Sequence, residues 1–123
     1  INSLHHLPTP AEQLKVFAEI YRVLKKQGVF LIVEMNVINP IIHFYLSYIF
    51  PKLRNIDEGD ERWIGEDLIH RSAFTLTDTE YFTFTPDFLP KILLKIFQNI
   101  DAYFDNTRLA RFGAHVMFTA VKE

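Results

Sequence analysis

The chain has 123 residues, with 13 Lys and Arg against 15 Asp and Glu, a formal net charge of −2. That length allows one compact domain or part of one, and that balance excludes the basic footprint a nucleic-acid binder carries. With no cysteine, disulfides, thiolate zinc sites and thiol nucleophiles are excluded; the composition fits a reducing compartment, and a cytoplasmic location is the expectation.

Taken in order, the first informative stretch runs from Ser3 to Asn36. Leu4-His5-His6-Leu7 reads as the end of a strand and a turn. Thr9 stands before Pro10 and three residues before Glu12, the pattern of an N-cap, a proline at the first helical position and a capping box. Leu14, Phe17, Tyr21 and Leu24 then recur at helical spacing, with Glu12, Lys15, Glu19, Arg22 and Lys26 mostly on other faces. Lys25 and Lys26 suit the negative end of the helix dipole. Gly28 suits the left-handed backbone that closes a helix. Val29 to Val33 is an unbroken apolar run, the pattern of a strand covered on both faces in a parallel α/β sheet. Helix then buried strand is the second half of a βαβ unit.

The loop after Glu34, Met35-Asn36-Val37-Ile38-Asn39-Pro40, is rich in turn formers. In open α/β sheets the ligand crevice lies outside the carboxyl ends of the strands, so Glu34 to Asn39 and Asn2 to His6 are expected to border a site. Ile41 to Leu53 is expected to form a helix apolar nearly all round, with a polar stripe at His43 and Ser47 and a stop or kink at Pro51. Such a helix belongs to a core, a dimer interface or a lid over an apolar substrate. Its polar face is too narrow for shallow docking on a membrane. Asn55 to Glu66 is a charged loop whose acidic run lacks the ligand alternation of a calcium loop. A short helix is expected over Glu66 to Ala73. A strand is expected over Thr79 to Thr85, where aromatic and β-branched residues alternate. A helix capped by Asp87 carries an apolar stripe from Leu89 to Phe104 and ends near Asn106. The last strand is Ala114 to Val121. No apolar run approaches the ~20 residues that span a bilayer.

Leu4-His5-His6-Leu7, then Arg22-Val23-Leu24-Lys25 with Gly28, then Val29 to Glu34, resembles the second half of class I S-adenosylmethionine-dependent methyltransferases of the type 11/12 kind. Gln27 departs from that pattern, standing where the family has its first glycine. The resemblance implies a Rossmann-like α/β fold. Residues 1–123 would form the C-terminal part of one domain, holding strands five, six and seven, with the last strand antiparallel between its two predecessors. It implies that the N-terminal half, which carries most of the grip on S-adenosylmethionine, precedes Ile1. The four glycines are too scattered to form a cofactor loop.

On the family pattern Asn2, Ser3, Leu4 and His5 would line the methionine end of the cofactor. His5 would face the methyl site as a base or positioning donor. Asn36 and His43 would face the acceptor, a small molecule of apolar or lipid-like character. No three-ligand metal set is expected, because His5 and His6 diverge in an extended segment and His43, His70 and His115 lie on separate elements. The open edge of the apolar strand leads to an expectation of self-association and of no cofactor binding by the isolated chain. Two other classes compete. A nicotinamide dehydrogenase would show a Tyr-x-x-x-Lys or a hydride-site acid/base pair, and neither is present. A free-standing α+β interaction module would fold alone and expose an apolar patch.

Overall fold

The protein was analysed as a computed structural model, which describes residues 4–49, 52, 63–82 and 107–123. The expected charged loop through residue 62, the strand end at 83–85, and the helix at 87–106 lie outside the described residues. The described elements are a 3₁₀ turn at Leu4–His6, α1 at Pro10–Val23, β1 at Val29–Met35, and α2 at Pro40–Phe44 running into a π-helical turn at Tyr45–Ile49. There follow α3 at Glu66–His70, β2 at Thr75–Phe82, a 3₁₀ turn at Arg108–Phe112, and β3 at His115–Val121. The fold is mixed α/β, and no described helix is long and apolar enough to cross a membrane.

The sheet order is β1-β3-β2. Lys122 N–H donates to Gly28 O at 3.0 Å, while Asn36 N–H donates to Ala114 O at 2.8 Å, so β3 runs antiparallel to β1. Thr77 Oγ1 reaches Thr119 O at 3.0 Å and Thr75 Oγ1 reaches Glu123 at 2.9 Å, placing β2 antiparallel on the other side. The last strand therefore lies between the two earlier ones, as expected. β2 begins four residues before the expected Thr79. Thr75, Thr77 and Asp78 are exposed, so its first half shows no apolar alternation, and on a sheet edge a half-polar strand is stable and guards against pairing with other chains.

The chain divides into two compact units. In the first, α1 packs on β1 through an aromatic cluster. Phe17 meets Phe30 and Phe74 edge to face at ring distances of 5.5 and 6.4 Å, and Tyr21 meets Phe74 at 5.1 Å. These edge-to-face pairs add to the apolar burial of Phe17 and Phe74. Thr9 caps α1, accepting from Glu12 N–H at 3.3 Å, while its hydroxyl donates to Glu12 Oε2 at 2.9 Å. The reciprocal bond of the expected capping box thus goes to the hydroxyl rather than to the backbone. At the other end, Lys122 Nζ donates to Tyr21 O at 2.6 Å and to Leu24 O at 2.9 Å. A lysine just after β3, not one of α1's own, satisfies the last carbonyls.

Two expectations about this unit are corrected. β1 is not covered on both faces: Ile32 and Glu34 are buried, but Val29 and Leu31 are more than half exposed at 54% and 52%. Among the described strands β1 lies at the sheet edge, and among the described residues α1 and Phe74 cover one face only. Nor does Gly28 take the left-handed conformation. Gln27 does, with φ 61°, and Gly28 serves a different need, since a Cβ there would lie 2.7 Å from Lys25 O. A side chain in the left-handed region costs about 1 kcal/mol, which glycine avoids at some entropic cost of its own. Gln27→Gly is therefore expected to raise the unfolding free energy by about 0.5 kcal/mol, read as a higher urea midpoint at unchanged slope.

In the second unit, Asn39 caps α2, accepting from Ile41 N–H at 2.8 Å and Ile42 N–H at 3.2 Å. Of the expected helix from Ile41 to Leu53, the described residues are regular α to Phe44 and π-helical over Tyr45–Ile49. Of its apolar side chains, Ile42 is buried while Ile41, Phe44 and Tyr48 are 56–60% exposed. Among the described side chains of this helix, Ile42 alone is buried.

Candidate functional site

The first unit brings together two titratable side chains 29 residues apart. The turn Leu4–His6 is fixed from α1, where buried Gln13 donates from Nε2 to Leu4 O at 3.1 Å. A glutamine on the apolar face of an amphipathic helix is costly unless it bonds, and this one ties the turn to the helix. The turn presents His5, which is 7% exposed. Its Nδ1 lies 2.9 Å from Glu34 Oε2. Glu34 sits on the covered face of β1 near its carboxyl end and is fully buried. Trp63 stacks on the His5 ring with centroids 4.4 Å apart and planes 24° from parallel. The His6 ring lies 4.2 Å from that of His5, tilted by 49°.

Burial holds the Glu34 carboxyl above the ordinary carboxylate range, against the opposing pull of the His5 hydrogen bond. Its second oxygen, Oε1, is buried and has no hydrogen-bond partner among the described residues. An orphaned oxygen on a buried carboxylate is uncommon in folded proteins, and water, a ligand or a chemical role accounts for most cases. When Glu34 is ionised, it accepts the Nδ1–H of His5. That fixes the tautomer in which Nε2 carries the lone pair, and it stabilises the imidazolium once a proton is taken up. The pair has the makings of an oriented general base.

Of the residues singled out from sequence, Asn2 and Ser3 lie outside the described residues. Leu4 is half-buried, and its carbonyl is occupied by Gln13. Asn36 and His43 belong to the second unit. Asn36 is buried. Its Nδ2 donates to Arg111 O and Gly113 O, both at 2.8 Å, and its Oδ1 accepts from Ile38 N–H at 3.0 Å. Asn39 acts beside it, donating to Phe112 O. These two asparagines clamp the turn before β3, and both amide protons of Asn36 are committed to backbone. His43 is exposed on α2.

Sequence reasoning placed Glu34 at the edge of a site but gave it no role, and missed Gln13 and Trp63. The available signals were a carboxylate ending an apolar strand and a glutamine on the apolar stripe of α1. Nothing in the local sequence marks Trp63. No protein-family model matches the chain, and no curated protein matches it.

Proposed function

We propose that this chain is the C-terminal part of a Rossmann-like, class I S-adenosylmethionine-dependent methyltransferase domain acting on a small, apolar or lipid-like acceptor. The observation that carries the reading is the buried His5–Glu34 pair, formed between the turn that precedes α1 and the end of the following strand. Two features support it. The sheet order, with an antiparallel last strand between its predecessors, agrees with that fold, as does the Leu-His-His-Leu to Glu34 pattern.

The residues present fit the cofactor in part. The turn at Leu4 and His5 lies where the resemblance puts the methionine end, and the orphaned Glu34 Oε1 beside it is a free acceptor. The donor, when bound, supplies an already activated methyl carbon, so the protein's task is alignment and, where the acceptor carries a proton, its removal. In this reading, Trp63 and Glu34 hold the His5 ring from its face and its Nδ1 edge. His5 Nε2 takes the acceptor's proton, and Glu34 carries the balancing charge. Burial keeps water from the pair.

The test is the reading frame upstream of Ile1. It is expected to encode an acidic-x-Gly-x-Gly turn after an apolar strand, and the longer protein is expected to transfer a labelled methyl group to apolar acceptors. A longer protein without that turn and without cofactor binding would end this reading. Exposed Val29 and Leu31 on the edge strand favour a second reading, a non-catalytic α+β module that docks on a partner. In that case the 123-residue chain folds alone as a stable monomer.

A further inference from the structure

A hollow of about 270 Å³ in the first unit is lined by Pro10, Gln13, Trp63, Asp67, Leu68 and Arg71. Asp67 and Arg71 are one helical turn apart on α3, a spacing at which opposite charges commonly pair. Here they do not: neither side chain makes a hydrogen bond or ion pair with any described residue. The hollow therefore offers one carboxylate and one guanidinium, both uncommitted, beside a buried glutamine and the apolar surfaces of Trp63, Leu68 and Pro10. Gly65 gives the carboxylate its room, since a Cβ there would lie 2.7 Å from Asp67 Oδ1.

We propose that this hollow binds a small zwitterionic amino acid with an apolar side chain. The ligand's ammonium pairs with Asp67 and its carboxylate with Arg71, whose fork donates to both carboxylate oxygens at once. Its side chain lies against Trp63 and Leu68. The volume, just below the roughly 300–1,000 Å³ of pockets for drug-sized ligands, suits a ligand of amino-acid size. A ligand of one sign would leave one of the two charges unpaired, so recognition requires both. The site shares Gln13 and Trp63 with the His5–Glu34 pair but does not depend on methyl transfer.

Trp63 is the only tryptophan in the sequence, so all indole fluorescence comes from a residue that lines this hollow. Titrating the 123-residue chain with L-leucine is expected to give a saturable change and matching calorimetric heat, with a Kd on the order of 1 mM. The one-charge analogues 3-methylbutylamine and 4-methylpentanoate are each expected to bind at least about tenfold more weakly. Asp67→Asn and Arg71→Gln alter exposed side chains and are expected to weaken L-leucine binding about tenfold or more with an unchanged far-ultraviolet spectrum. No saturable response from the wild-type chain by either method overturns the proposal. So does equal binding of the one-charge analogues, or full binding by both variants.

Discussion

If the protein transfers methyl groups as proposed, His5→Gln is expected to lower kcat by about 10²–10⁴-fold, the usual contribution of a positioned general base, while cofactor affinity changes less than about threefold. Glutamine keeps a polar group in the turn but cannot take up a proton. A base is distinguished from a packing residue by the pH profile. In the wild type, the acidic limb of kcat/KM reports the pair as a unit; in the variant that limb disappears. Unchanged turnover in His5→Gln would reduce His5 to a residue that packs the turn.

Glu34→Gln supplies a second readout that needs no activity. Burial raises the Glu34 pKa above its ordinary value of 4.5, so between that value and the folded one the native state holds more protons than the unfolded state. Stability then falls as pH rises through this window. The contribution is fully present below the unfolded pKa and is lost as pH passes the folded pKa. Glu34→Gln removes this slope. Urea unfolding from pH 4 to 8 is expected to show the variant gaining on the wild type as pH rises. A constant difference across that range would mean that Glu34 titrates alike in both states, and the buried acidic partner of His5 would have to be abandoned.

Asn36→Ala is expected to lower the unfolding free energy by about 2–4 kcal/mol. The substitution strips a hydrogen bond from two carbonyls, Arg111 O and Gly113 O, and from Ile38 N–H. A buried group left unpaired costs about 1–3 kcal/mol each. The partly exposed Arg111 O regains water, which holds the sum below the maximum. Asn36→Asp separates geometry from donation: the shape is kept, but the two donors become acceptors facing carbonyls, so it should be at least as damaging as alanine. If either variant leaves stability within about 0.5 kcal/mol and instead raises KM for an acceptor, the clamp is not what Asn36 is for.

The start of α1 was legible from the sequence to the residue, while its end was not: Leu24 to Lys26 were expected in the helix, which stops at Val23. Thr9, Pro10 and Glu12 are local signals, and Phe17 and Tyr21 recur at a period that only one helix face satisfies. β1 and β3 were legible as unbroken or nearly unbroken apolar runs, and the slotted order of the last strand followed from the resemblance. β2 was misplaced at its start because its first residues are threonines and an aspartate on a sheet edge, where burial does not impose alternation. Gln27, the departure from the family pattern, turned out to hold the left-handed position expected of Gly28. A glycine constrained by a nearby carbonyl and one needed for positive φ look the same in a sequence.

The sequence by itself determined the start of α1, the existence of the three strands and the absence of disulfide chemistry, because those depend on periodicity, capping and composition, all carried by neighbouring residues. Tertiary structure decided the rest. His5 and Glu34 meet because α1 and β1 pack through Phe17, Phe30 and Phe74. Gln13 and Trp63 acquire their roles only once the turn lies between them. Lys122 caps a helix roughly a hundred residues upstream. Asn36, which stood in the sequence as a polar residue near a ligand crevice, proves to be committed to backbone far along the chain. A hydrogen bond links whichever groups the fold brings within about 3 Å, and no local pattern encodes that distance.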